Sequence, residues 1–304
     1  MADAKKKTRD LRIIEADLMI VTAAGIWGAS YSILKIGLQE MPMFFLLAWR
    51  FAIAAVLLAV IFHKKIRRVR WHEIKAGAFV GFLLFMGFTT FSAGLRYTAA
   101  GRSSFICGLL VVIVPLINAI LGKRLPPRNV IIGVCLATFG LAFMSLYDLH
   151  FHLGDLMILI SAFFYAAHIV ATGRYAKDID GSVLVTVQLF LGAILFFILT
   201  FIFEPIPASV SAKGIWAVIF LAVLASALCL LLQTWAQRYA PPDHAAVLFT
   251  TEPVFGAIFA WIVLGEVMSG RALIGAALIL AGMLWVELMG NKYNKSAEIC
   301  CKKI

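Results

Sequence analysis

The sequence predicts an all-α membrane protein of ten transmembrane helices, built as two inverted halves of five with both termini cytoplasmic. Three observations predict it. The 304 residues are 62% hydrophobic and only 14% charged, with a mean hydropathy of +0.96, whereas a globular domain carries about a quarter charged residues. The apolar residues fall into blocks of about 20, enough to cross ~30 Å of hydrocarbon at ~1.5 Å per residue. Stretches of the first half also recur in the second, with an odd number of blocks in each half.

The ten blocks lie at about 17–38, 43–62, 74–94, 101–121, 129–147, 153–173, 182–203, 214–236, 245–265 and 270–289. Before the first, Lys5, Lys6, Lys7, Arg9 and Arg12 imitate the start of a signal peptide. The apolar run that follows is too long for one and carries no clear cleavage site, so it reads as an uncleaved first helix. The gaps are short and leave no room for a soluble domain. The division is a basic tail (1–16), a first half (17–147), a second half (153–289) and a second basic tail (290–304).

Orientation follows from the cations. With the N-terminus inside, 21 of the 27 Lys and Arg fall in inner segments and four in outer ones, with Lys35 and Arg50 inside blocks. That asymmetry is the positive-inside signal. The net charge of +11 therefore reads as topology, and no nucleic-acid partner is expected. Cys107, Cys135 and Cys229 lie in apolar blocks and Cys300 and Cys301 in the basic tail, which is no disulfide framework.

The repeat is visible in Ala16–Tyr31 against Gly154–Ile169, offset by 138. Arg96-Tyr97 matches Arg238-Tyr239, Gly133 matches Gly275 and Gly140 matches Gly282, all offset by 142. Five helices per half bring the second half into the membrane from the opposite side. Inverted repeats suit alternating access around a site near the midplane.

Candidate site residues follow from polar, aromatic and helix-breaking positions inside the blocks. Trp27, Tyr31 and Lys35 share one face of the first block at spacings of four, and Lys35 is also placed to snorkel to the headgroups. Arg50 lies about 10 Å deep at ~1.5 Å per residue, where a charge faces protein or water and has a partner. Glu252 is a candidate partner. The third block offers Thr90 and Tyr97, the sixth Tyr165, His168 and Thr172, and the eighth Ser226, Cys229, Gln233 and Trp235. Interhelical hydrogen bonding explains each of these as readily as cargo contact. Pro115 and Glu252-Pro253 interrupt the fourth and ninth blocks in loosely corresponding places, as transporter binding regions do. Gly77 and Gly81, and the paired glycines of blocks five and ten, read as close helix contacts.

Enzymatic readings find little support. The chain has no P-loop, no GxGxxG after a strand, no HExxH and no Cys/His cluster at metal spacing, so neither cofactor nor metal is expected. Gly28-Ala29-Ser30-Tyr31 fits the GxS form of an intramembrane serine protease, but no histidine follows with a supporting glycine pattern.

Trp27-Gly28-Ala29-Ser30-Tyr31 followed by Lys35, Arg50-Phe51, Tyr97 with Ala99–Phe105, Pro115, Glu252-Pro253 and Leu264-Gly265-Glu266 with Gly275 and Gly282 together resemble the drug/metabolite transporter superfamily in its EamA type. The resemblance covers about residues 16 to 289 as two EamA-like halves. It implies a ten-helix inverted-repeat carrier whose cavity is lined largely by helices three, four, eight and nine. Members mostly export amino acids, related metabolites or drugs. One departure stands out: Gly122-Lys123-Arg124 replaces Gly265-Glu266 in the first half, so Glu266 has no acidic counterpart and reads as an end-cap.

The expected function is transport of a small organic solute across a cell (inner) membrane. Tyr97, Tyr165, Gln233 and Trp235 are expected to flank the cavity, and Glu252 to polarise or protonate within it. The expected partners are a small-molecule substrate, the lipid bilayer and, as a candidate coupling ion, the proton; no oligomeric state is implied. The alternative is a membrane receptor or scaffold that binds a small ligand without moving it.

Overall fold

The computed structural model describes residues 2–123, 125, 128–145, 152–239 and 249–301. Every regular element among them is helical. The elements are α1 (Ala2–Glu40), α2 (Met43–Ile61), the single turn α3 (His63–Ile66), α4 (Trp71–Leu95), α5 (Ala100–Gly108), α6 (Leu110–Leu121), α7 (Arg128–Ser145), α8 (Leu153–Tyr175), α9 (Gly181–Phe203), α10 (Ala212–Phe220), a π-helical stretch (Leu221–Leu228), α11 (Cys229–Tyr239), α12 (Thr251–Leu264) and α13 (Gly270–Cys301). Among the described residues, seven spans are long and apolar enough to cross a membrane, and Ile131–Phe143, Thr251–Leu264 and Gly270–Trp285 are shorter apolar helices. Large apolar side chains such as Val60, Phe79, Phe163, Ile194 and Phe201 remain exposed on the outside, the surface a lipid solvent calls for. The first residues of the ninth block, Ala245–Leu248, lie outside the described residues, as do Arg124 and Tyr147.

The inversion is written in the packing. Gly140 lies against the Gly275 carbonyl and Ile279 of α13, while Gly282 lies against the Gly133 carbonyl and Ala137 of α7. The repeat-related helices α7 and α13 thus cross antiparallel through reciprocal glycines. The same holds for α2 and α9, where Phe44 meets Phe203, Trp49 meets Phe197 and Phe51 meets Phe196. It holds again for α5 and α12, where Gly101 faces Ala257 and Ala260, Ser104 faces Gly256 and Gly108 faces Pro253. Other contacts between halves correspond as well: α1 packs on α11 and α12 as α8 packs on α4 and on α5–α6. An antiparallel two-fold relation exchanges these pairs.

Local chemistry sets the ends. Pro42 offers α2 no capping side chain, and Glu204 from the end of α9 supplies the acceptor, taking the Phe44 and Phe45 amides at 3.0 and 2.9 Å. This stabilises the helix start through both hydrogen bonding and the dipole. Asp180 caps α9 through the Ser182 amide at 2.9 Å. Gly265 ends α12 in the left-handed region at φ 66°, which costs glycine little.

Two glycines of this fold behave differently. A Cβ on Gly28 of α1 would fall 2.8 Å from the Gly256 nitrogen and 2.9 Å from the Phe255 carbonyl carbon, both backbone atoms of α12. Gly28→Val is expected to push α1 off α12 at an overpacking cost of about 1–3 kcal/mol. Gly173 has nothing within 4 Å of its virtual Cβ, so Gly173→Ala is expected to gain up to about 1 kcal/mol. Thermal melting of the two purified variants checks both signs.

Candidate functional site

Among the described residues, a cavity lies between the halves, bordered by α1, α2, α4, α5–α6, α8, α11 with its π-helical lead-in, and α12. The cavity volume is about 80 Å³, room for roughly five to eight waters at ~10–15 Å³ each. That is the scale of a small solute. Helical periodicity explains which residues reach it. α1 presents Trp27, Ser30, Tyr31 and Leu34, and α4 presents Leu84, Phe88 and Phe91, each set at i, i+3/i+4, i+7 on one face.

Two helix interruptions flank the cavity. Block four breaks at Leu109, between α5 and α6, and in block nine a turn at Thr250 separates Phe249 from α12. Cys107 and Leu110 line the cavity on either side of the first break, and Phe249 and Glu252 on either side of the second. The breaks meet, because Gly108 packs on Pro253 and the Ser104 hydroxyl donates to the Pro253 carbonyl at 3.1 Å. Glu252-Pro253 therefore stands in the first turn of a 14-residue helix. The position suits both residues: a proline amide has no partner there in any case, and a carboxylate is favoured at a helix N-terminus. Pro115, inside α6, lies six residues past the actual break and is half-buried away from the cavity.

The polar groups around the cavity are held individually. The Tyr31 hydroxyl donates to Glu252 Oε1. Trp27 Nε1 donates to the Ala225 carbonyl at 2.8 Å and its ring stacks near Phe249. Ala225 lies in the π-helical stretch, whose i→i+5 pattern displaces carbonyls from the α register. Arg50, 1% exposed, donates from Nε to Ser226 Oγ at 2.8 Å and lays its guanidinium 4.4 Å over the Phe88 ring. Glu252 is not its ion-pair partner, contrary to the candidate pairing. His168 Nε2 donates to Gln188 Oε1 at 2.8 Å, and the Thr172 hydroxyl sits 3.5 Å away.

Of the residues singled out in the sequence, Trp27, Tyr31, Arg50, Tyr165, His168, Gln233 and Glu252 line this cavity. Thr90, Tyr97, Pro115, Trp235 and Pro253 do not. Tyr97 lies beyond the end of α4, 68% exposed, beside a shallow basic depression with Lys35 and Arg102. Trp235 is two residues, about 200° of turn, from Gln233, so it faces outward against Phe62. Thr90 is rotated likewise from Phe88, and its hydroxyl bonds back to the Met86 carbonyl. Helices one, two and six contribute walls that the expected set of three, four, eight and nine omitted. Phe88 and Phe91 line the cavity and were missed; the seven-residue spacing of Leu84 and Phe91 was the available signal. The Ser30 hydroxyl is committed to the Trp27 carbonyl at 2.7 Å, with no histidine bonded to it.

At one end of the bundle a chain of polar contacts joins the halves. Lys35 Nζ donates to Glu266 Oε1 at 2.7 Å and to the Thr98 carbonyl at 2.9 Å. Glu266 Oε2 accepts the Gly101 amide at 3.2 Å, at the start of α5. Thr98 Oγ1 donates to Asp155 Oδ1 at 3.1 Å, and Arg102 pairs with Asp155 at 2.7 Å. Glu266 does cap a helix, but that helix is α5 of the other half rather than its own.

The model of the EamA-like transporter family matches residues 14–146 and again residues 152–288. The chain belongs to the EamA-like transporter family. This EamA-like transporter is a multi-pass membrane protein of two repeats. An uncharacterized transporter of Archaeoglobus fulgidus is 30% identical over 90% of this chain and 86% of its own length. The uncharacterized transporter YoaV of Bacillus subtilis is 24% identical over 89% and 96%. A protein of Salmonella typhimurium named "Probable amino-acid metabolite efflux pump" is 23% identical over 90% and 95%. A solved crystal structure superposes with a TM-score of 0.68 at 18% identity, covering 91% of this chain and 98% of that one, a likeness of fold.

Proposed function

We propose that this EamA-like transporter exports a small organic solute, an amino acid or a related metabolite, by alternating access around the cavity between its halves. The observation that carries the reading is the cavity itself, bounded by the meeting helix breaks of the two inverted repeats and lined by Arg50, Glu252, Tyr165, His168 and Gln233. The Salmonella relative's name supports efflux of amino-acid metabolites. Asymmetry of Lys and Arg places the Lys35 end outside, so the Lys35–Glu266–Thr98–Asp155–Arg102 chain is the outer closure. Its members come from both halves, and opening outward must separate them. Glu252 is the group that exchanges protons during the cycle, since it is the sole cavity-lining carboxylate among the described residues.

Purified protein in liposomes loaded with each of the twenty amino acids and a set of amphiphilic metabolites is expected to release at least one saturably. A folded protein that moves none of them refutes the reading. A pure receptor would bind without moving its ligand; binding with no flux in the same liposomes would establish that alternative.

A further inference from the structure

We propose that Arg50 is the seat of the cargo's carboxylate, an assignment that rests on the transporter reading above and narrows it. A guanidinium presents five N–H donors in a planar fork. Arg50 spends one, on Ser226 Oγ. No carboxylate among the described residues lies within ion-pairing distance of it, and its remaining N–H groups meet no acceptor among them while the side chain borders the cavity. A buried cation without an anion is strongly disfavoured unless something completes it. A residue kept only for helix packing would be clamped by carbonyls or a carboxylate.

The surroundings orient the fork rather than neutralise it. Phe88 lies flat beneath the guanidinium at 4.4 Å, Ser226 fixes Nε, and Gly192 lets Phe51 of the same helix pack close on α9. What is left open is the geometry that takes a carboxylate by two parallel hydrogen bonds. The complement is set by Glu252, which lines the same cavity from α12. It disfavours a second anionic group on the cargo and favours a cationic one. A monocarboxylate that carries an amine fits both walls.

The test uses wild-type protein in detergent and in liposomes, with the twenty L-amino acids and the carboxamide of each. The strongest binder by thermal shift is expected to exceed its own carboxamide in affinity by about ten- to a hundredfold, the span of a charge-assisted hydrogen-bond pair. In Arg50→Gln the acid should fall to the level of the amide while the amide is unchanged. Ser226→Ala, which releases Nε without removing the charge, should weaken the acid several-fold and spare the amide; it stands in should Arg50→Gln fail to fold. Undiminished preference for acid over amide in Arg50→Gln, or in Ser226→Ala where only that variant folds, overturns the assignment. Equal binding and flux of acids and amides by wild type overturns it too, and leaves the transporter reading standing. Absence of any binding or flux across the panel removes both.

Discussion

Glu252→Gln is expected to lower transport by about tenfold or more, the consequence of replacing a charged, buried hydrogen-bond partner worth about 1.5–3 kcal/mol. The variant should also lose whatever dependence on pH the wild-type flux shows. The basis is geometric. Glu252 sits in the first turn of α12 and lines the cavity, and it accepts the Tyr31 hydroxyl across the seam on α1. A carboxylate with four lone-pair sites is thereby only partly engaged. Gln retains the size and an acceptor but removes the titratable group. Tyr31→Phe should cost less, because the acid itself remains. Flux measured in liposomes across a range of pH separates the roles. A Glu252→Gln protein that melts lower yet transports with an unaltered pH profile would make the residue a structural pin between α1 and α12.

How much of this was legible in the sequence depends on the kind of residue. Charges buried in apolar blocks are expensive wherever they point, so Arg50 and Glu252 could be found without knowing any face. Their partners could not: Arg50 turns to Ser226 and Phe88, and Glu252 to Tyr31. The glycine spacing of blocks five and ten was legible because small residues repeat where backbones touch, and the structure interlocks them reciprocally. Aromatic residues were harder. Tyr97 and Trp235 were placed in the cavity and lie outside it. In a membrane helix the lipid-facing side is as apolar as the core, so the 3.6-residue periodicity that assigns faces in soluble helices fades.

Backbone irregularities were legible only in part. Prolines announce strain, yet the turns fall at Leu109 and Thr250, several residues before Pro115 and Pro253. Nothing in Leu221–Leu228 marks a π-helix, although its Ala225 and Ser226 hold Trp27 and Arg50 in place. Glu266 was readable as an acid at a helix end. Its pairing with Lys35 and its cap on α5 needed the tertiary fold.

Alternating access is the central claim, and the outer closure offers the most direct measurement of it. Cysteines at Lys35 and Glu266, introduced into a transport-competent background free of the native cysteines, can be joined by a short bifunctional thiol-alkylating crosslinker with a cleavable bond in its spacer. These side chains meet at 2.7 Å and are each about a fifth exposed, so both positions are within reach of reagent. Crosslinking is expected to arrest flux nearly completely, and cleavage of the linker to restore it, while either single cysteine treated alike keeps transporting. Full crosslinking with flux undiminished would contradict the account, because the two halves would then carry solute across without separating at this end.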